Sequence, residues 1–354
     1  MFTTEIIPHT LRFKQPAGTS RGIYREHRVW YVVLRDREDP SHIGIGECAP
    51  LPDLSCDYSD HYAETLSRFC KIIEDQQQLD LELLRRHPSI LFGLESALQH
   101  YQQRSWQLWE SSFSRGEKGI PINGLIWMGS FDEMQQQAEN LMKRGFRCIK
   151  LKIGAIAFEQ ELELLHYIRS HHPDVTLRVD ANGAFSPGEA EEKLQRLAAI
   201  DIHSIEQPLG AGQWGEMSLL CDSAPLPIAL DEELIGVHQP EEKRRLLETI
   251  QPQYIILKPS LHGGISGCNE WIALANDLGI GWWITSALES NIGLNSIAQW
   301  CATLGNPLPQ GLGTGSLYHN NIPLSLEIRG DCLWFNPSGP FPDKPLQEYA
   351  QHHD

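Results

Sequence analysis

Five charged residues close successive apolar runs in the middle of this 354-residue chain: Lys152 in IKLKIG, Asp180 in LRVDANG, Glu206 in HSIEQP, Asp231 in IALDEE and Lys258 in YIILKPS. They recur roughly every 25 to 28 residues, close to the ~30 that one strand, one helix and their loops occupy in an eight-fold β/α barrel. A strand-end residue in each of five consecutive units would ring one rim of such a barrel, the rim where barrel enzymes do their chemistry. Three carboxylates flanked by lysines at that rim point to a metal site with a base on either side.

The composition narrows the partners. A formal net charge of −17 excludes a large basic surface for nucleic acid or anionic membrane, so an anionic substrate has to be attracted locally. No apolar stretch approaches the ~18 residues that span a bilayer, and the start MFTTEIIPHTLRF lacks the pattern of a secretory signal. Eight scattered cysteines without a CxxC pair are expected to be reduced thiols in a cytoplasmic enzyme. A small-molecule carboxylate is the expected partner; the oligomeric state stays open.

From about 120 to 315 strand and helix signals alternate. Strands are expected at 120–127, 147–153, 176–181, 202–206, 228–231, 254–258 and 281–286, with a weak eighth at 310–315. Ser130 and Glu133 form a capping-box pattern before a helix ending at Gly145, and Pro187 opens another helix. Further helices are expected at 158–171, 240–250, 267–278 and 294–303. Alternation on this scale implies parallel strands with helical crossovers, and no GxGxxG or Walker loop points to a nucleotide-binding sheet.

The first 115 residues differ. Short antiparallel strands at 6–14, 28–34 and 42–47 precede helices at 60–78 and 88–107. The strand-like LSLEIR and LWFNP near the C-terminus are expected to return to this part. The overall expectation is an α+β capping domain over 1–115, completed by 316–354, on a barrel over 116–315. Loops 15–22 and 49–55 would be its mobile parts, closing over a substrate.

Each charge has a plainer reading. Lys150 and Lys152, two apart on a strand, share a face, so each ammonium would make the other easier to deprotonate. Both could instead reach outward to solvent. Any one of Asp180, Glu206 and Asp231 could be a helix cap. Together, three buried carboxylates without a cation would cost several kcal/mol each, whereas three oxygen donors suit Mg²⁺, with Mn²⁺ as a substitute. Glu233 shares a strand face with Asp231 and leaves the third ligand ambiguous. Lys258 could alternatively form an imine in a metal-free aldolase.

The set KxK (Lys150, Lys152), DAN (180–182), EQP (206–208), DE (Asp231, Glu232) and KP (258–259) resembles the enolase superfamily, muconate-lactonising-enzyme subgroup. That resemblance implies a modified (β/α)7β TIM-type barrel under an α+β capping domain. It implies that Asp180, Glu206 and Asp231 bind Mg²⁺, favouring Asp231 over Glu233, with Lys152 and Lys258 facing each other across the substrate. GECAPLPDLS (46–55) and TSALESNIGL (285–294) are similar to segments of the subgroup's dehydratases, which aromatise a succinylated cyclohexadiene carboxylate. In that case Lys152 is the base, Lys258 stabilises the enediolate, and the succinyl tail lies against the cap loops and 286–291. Glu289, Ser290 and Asn291 stand where dipeptide epimerases carry Asp-x-Asp, which disfavours epimerisation. N-succinylamino-acid racemase and muconate cycloisomerase activities are the nearer alternatives.

Overall fold

Alternating apolar residues near the N-terminus build a twisted antiparallel sheet in the computed structural model, which describes residues 1–19, 22–342 and 344–351. Strand β1 (Phe2–Thr19) pairs with β2 (Gly22–Asp36), and β3 (Ile43–Cys48) adds to β2. The period of two gives β2 a distinct set of neighbours on each face. Trp30, Val32 and Leu34 pack with Leu66, Phe69 and Leu94 of helices Tyr62–Gln76 and Pro88–Gln103, while Val29, Tyr31 and Val33 join the main core. Helix and sheet touch backbone to backbone: a Cβ at Gly46 would come within 1.9 Å of the Gly93 carbonyl oxygen, so only glycine fits there.

The expected loop at 15–22 is instead mostly strand. The register breaks between Arg12 and Ala17 and resumes with Ala17 opposite Tyr24, so an irregularity rather than a loop absorbs the turn-forming residues. Ser20 and Arg21, at the tip of that expected loop, lie outside the described residues. The turn at 49–55 is closed by its own hydrogen bonds, Ser55 N–H to the Leu51 carbonyl (2.9 Å) and Leu51 N–H to Ser55 Oγ (2.9 Å).

The expected strand at 120–127 is broken after Pro121, which has no N–H to donate to a ladder. Its first part, β4 (Ile120–Pro121), leaves the barrel, and its second, β5 (Gly124–Ile126), starts it. Strands β6 (Cys148–Lys152), β7 (Thr176–Asp180), β8 (Ser204–Glu206), β9 (Ile228–Leu230), β10 (Tyr254–Leu257) and β11 (Gly281–Ile284) follow, giving a seven-stranded parallel sheet in sequence order. The expected eighth strand at 310–315 is reduced to two bridges, Gln310 beside Ile122 and Gly311 beside Thr285, which join the two sheet edges into a ring. Gln310 supports the closure with its side chain, whose Oε1 accepts the Ile284 N–H at 2.7 Å.

Helices alternate with these strands. Helix Phe131–Lys143 carries the capping box at Ser130 and Glu133, and helix Phe158–His171 has the expected bounds. Helix Trp214–Ser223 has no side-chain cap and buries only Met217, Leu220 and Cys221, so little in the sequence marks it. The C-terminal strands β12 (Leu326–Arg329) and β13 (Cys332–Phe335) pair with each other and with β4, not with the N-terminal sheet. The return to that sheet is made instead by Tyr318, bridged to Phe13, and by helix Leu346–Gln351 against β1.

Candidate active site

The register of the parallel strands sets Lys152, Asp180 and Glu206 side by side at the carboxyl ends of β6, β7 and β8. Lys150 and Arg178 share the inward face two residues lower. Asp231 directly follows β9 and Lys258 directly follows β10, completing the arc. Asp180, Glu206 and Asp231 are each buried, exposing no more than 2% of their surface.

All six sequence-derived residues therefore meet, and lysines bind the carboxylates. Lys150 Nζ donates to Glu206 Oε2 (2.8 Å) and Asp180 Oδ2 (3.3 Å). Lys152 Nζ donates to the same Asp180 oxygen (3.0 Å) and to Asn182 Oδ1 (2.8 Å), while Lys258 Nζ pairs with Asp231 Oδ2. Lys150 is thus held by two carboxylates rather than standing as a bare ammonium beside Lys152. Burial would lower its pKa, but Glu206 and Asp180 outweigh burial and hold it above the usual lysine range. Lys258 is raised in the same way, burial being outweighed by Asp231 and Glu206.

The carboxylates respond unequally. Burial pushes Asp180 up, yet the combined ammonium groups of Lys152, Lys150 and Lys258 hold it below its usual range. Burial and the neighbouring Asp180 charge raise Glu206 to about 7. Burial also raises Asp231, against the pull of Lys258.

Among the described residues, no three His, Cys, Asp or Glu side chains converge tightly enough to ligate an ion as they stand. The donor chemistry nevertheless fits a hard cation. Glu206 Oε1 and Asp231 Oδ1 are buried without a hydrogen-bond partner, an arrangement costly unless a positive charge reaches them. The other oxygens of both carboxylates, and Asp180 Oδ2, are occupied by ammonium groups that a rotamer change can withdraw, while Asp180 Oδ1 accepts the Asn182 N–H at 3.1 Å. Glu233, the other candidate for the third ligand, is engaged elsewhere: its Oε1 accepts the Gly212 N–H (2.8 Å) and its Oε2 the Gln207 amide (3.1 Å).

Two residues with no role in the sequence reading shape the site. Asn182, at φ 44°, holds Lys152 and donates to Glu232 Oε1 at 2.9 Å. Gln207, at φ 40°, accepts the backbone N–H groups of Asp231 (3.1 Å) and Glu233 (3.2 Å). Their signal is a polar amide one or two residues beyond a strand-end carboxylate, within the DAN and EQP motifs.

A cavity of about 270 Å³ lies over these residues, with Lys150, Lys152, Asp180, Asn182, Glu232 and Lys258 on its floor. Leu51, Leu54 and Tyr24 of the N-terminal part form one wall, and 285–288 with Thr314 and Leu317 another. Of the segment expected to hold a substrate tail, only Ser286, Ala287 and Leu288 reach the cavity, since Glu289 and Ser290 are fully buried.

Known proteins match this arrangement. Residues 133–337 match the family model described as enolase C-terminal domain-like. The chain is 44% identical to o-succinylbenzoate synthase of Desulfotalea psychrophila, over 91% of this chain and 96% of that one. It is 29% identical to L-Ala-D/L-Glu epimerase of Bacillus subtilis, over 78% of each. The crystal structure of MenC from Desulfotalea psychrophila superposes with a TM-score of 0.80 at 41% identity, covering 94% of this chain and 99% of that one.

Proposed function

We infer the reaction from membership: this chain belongs to the enolase superfamily, and its function is that of an o-succinylbenzoate synthase. The reaction is the dehydration of 2-succinyl-6-hydroxy-2,4-cyclohexadiene-1-carboxylate to the aromatic o-succinylbenzoate, a carbon–oxygen lyase step of menaquinone biosynthesis. The observation that carries this reading is the row of Lys152, Asp180 and Glu206 on adjacent strands, continued by Asp231 and faced by Lys258.

Removing the proton α to a carboxylate puts a second negative charge on that group, so the site has to supply positive charge as the proton leaves. Asp180, Glu206 and Asp231 would hold Mg²⁺ or Mn²⁺, which supplies that charge to the substrate carboxylate. Lys152 takes the proton and returns one to the departing hydroxyl on the same face. Lys258, on the opposite arc, remains an ammonium and balances the developing charge. Asn182 orients Lys152 through its 2.8 Å hydrogen bond. Leu51, Leu54 and the 285–288 wall exclude water around the ring and its succinyl tail.

We take residues 1–115 with 316–354 as the cap and 116–315 as the barrel. Among the described residues no helix is long and apolar enough to cross a membrane, and the eight cysteines are free; we place the reaction in the cytoplasm. The direct test is an assay of purified protein with the cyclohexadiene substrate. Turnover should vanish with EDTA and return with Mg²⁺. Full activity after exhaustive chelation would overturn the metal assignment, and absence of turnover with Mg²⁺ would overturn the substrate.

A further inference from the structure

Glu47 is the penultimate residue of the third strand of the N-terminal sheet, yet its carboxylate is spent on the barrel. Its Oε1 accepts the Ser290 N–H at 2.8 Å, and its Oε2 accepts the Ser290 hydroxyl at 2.5 Å and the Gly293 N–H at 2.8 Å. Both Glu47 and Ser290 are 0% exposed. The carboxylate thus sits on the first turn of helix Asn291–Thr303, where free backbone N–H groups and the helix dipole favour a negative charge. A Cβ at position 293 would come to 3.0 Å from Glu47 Oε2 and 2.7 Å from the Glu289 Cβ, so the glycine there is what admits the carboxylate.

The two partners stand beside two cavity walls. Glu47 lies two residues before the 49–55 turn that carries Leu51 and Leu54, and Ser290 lies two residues after the 285–288 segment. A second contact ties the same two segments: the ring of buried His27 reaches the Leu288 carbonyl (3.0 Å) and the Pro50 carbonyl (3.2 Å). Burial keeps that imidazole below its ordinary pKa and therefore neutral, so it has one N–H to offer two acceptors. Tyr318 also donates to the Leu288 carbonyl at 2.6 Å. Glu47, with three hydrogen bonds, is the more heavily bonded of the two ties.

We propose that Glu47 is a positioning residue, fixing the 285–288 wall against the 49–55 turn and so setting affinity for the part of the substrate remote from the reacting carbon. This rests on the dehydratase reading for its substrate. Three donors converge on two carboxylate oxygens, so an amide in their place offers one acceptor and sets its NH₂ against an N–H donor. Losing these hydrogen bonds is enough for a tenfold or larger change in an equilibrium.

The test uses Glu47→Gln, Ser290→Ala and the double variant, each with Mg²⁺. KM and kcat are measured with the cyclohexadiene substrate, and amide hydrogen exchange over 285–293 is measured without substrate. Each single variant should raise KM by about tenfold with kcat changed less than about threefold. The double variant should be no worse than Glu47→Gln, since both remove one tie. Exchange over 285–293 should quicken in all three. Ser290→Ala removes the hydroxyl bond to Glu47 and the N-cap bond to the Ile292 N–H but leaves the carboxylate and its two backbone donors, which keeps the test readable if Glu47→Gln folds poorly. Unchanged KM with faster exchange would make the tie structural only, and unchanged exchange would overturn it outright. A wild-type protein inactive on this substrate would overturn the dehydratase reading, while the exchange comparison would still decide whether Glu47 holds the wall.

Discussion

Lys150 Nζ lies 2.8 Å from Glu206 Oε2, between two carboxylates and beneath the base assigned to Lys152. That contact makes Lys150 a competitor for the oxygens a cation needs, as well as a neighbour of Lys152. Replacing it by methionine keeps the length of the side chain and removes the charge. We expect Lys150→Met to bind Mn²⁺ severalfold more tightly, because Glu206 is released, yet to turn over more slowly, because a positive charge is lost from the floor of the site. Titration of Mn²⁺ by electron paramagnetic resonance, with kcat measured alongside, checks both signs. Weaker Mn²⁺ binding would mean that Lys150 holds the carboxylates in place rather than competing for them.

The third ligand can be settled by a pair of variants. Asp231→Asn should lose most Mn²⁺ affinity while the fold persists, since Gln207 still holds the backbone through the Asp231 and Glu233 N–H groups. Glu233→Gln should keep metal affinity within a few-fold and lower thermal stability by about 1–3 kcal/mol, as the buried Gln207 amide and the Gly212 N–H lose carboxylate acceptors. The reverse pattern in calorimetric metal titrations would transfer the ligand role to Glu233.

The site was more legible than the parts that surround it. A charge that ends an apolar run in a buried parallel strand has few uses apart from chemistry, so regular spacing alone brought Lys152, Asp180, Glu206, Asp231 and Lys258 together. Helices with a local signal also read clearly, as at Ser130 and Glu133. Hairpin β1–β2 did not, because Pro16 and Gly18 carry turn signals, yet the strand runs on through a register irregularity between Arg12 and Ala17. The antiparallel pairing of β13 with β4 joins residues some two hundred positions apart, and local periodicity does not encode a partner. Asn182 and Gln207 depend on left-handed backbone conformations that a polar side chain does not announce.

Buried Glu47 gives the stability a definite pH dependence. Burial raises its pKa to about 7, with the nearby Glu289 charge adding to the rise and the Ser290 and Gly293 hydrogen bonds opposing it. The folded value lies above the unfolded 4.5, so this contribution is fully present below about 4.5 and is lost as pH rises through about 7. Glutamine at this position does not titrate. The melting-temperature advantage of wild type over Glu47→Gln should therefore be largest near pH 5 and shrink toward pH 8. A difference that stays constant between pH 5 and pH 8 would show that the carboxylate is ionised throughout that range. Tyr31 and Tyr318, the other titratable groups beside it, are raised above their usual range and stay neutral across this window.

The two lysines predict a stereochemical result. Lys152 ends β6 and Lys258 follows β10, with β7, β8 and β9 between them, so they approach a substrate held over Asp180, Glu206 and Asp231 from opposite sides. A single α-proton can face only one of them. With the cyclohexadiene substrate, Lys152→Ala should lose dehydration entirely, because a positioned base contributes roughly 10²–10⁴-fold and metal-assisted enolisation depends on it. Lys258→Ala should also be severely impaired, through lost charge balance rather than a lost base. An N-succinylamino acid separates the two roles, since its enantiomers present the α-proton to opposite faces. In D₂O, Lys152→Ala should retain exchange of only the enantiomer whose proton faces Lys258, and Lys258→Ala of only the other, both readable by proton NMR. Wild-type exchange of both enantiomers by Lys152→Ala would place the base elsewhere in the cavity. Loss of exchange for both enantiomers in each single variant would mean that the lysines act only as a pair, with each setting the charge that the other needs.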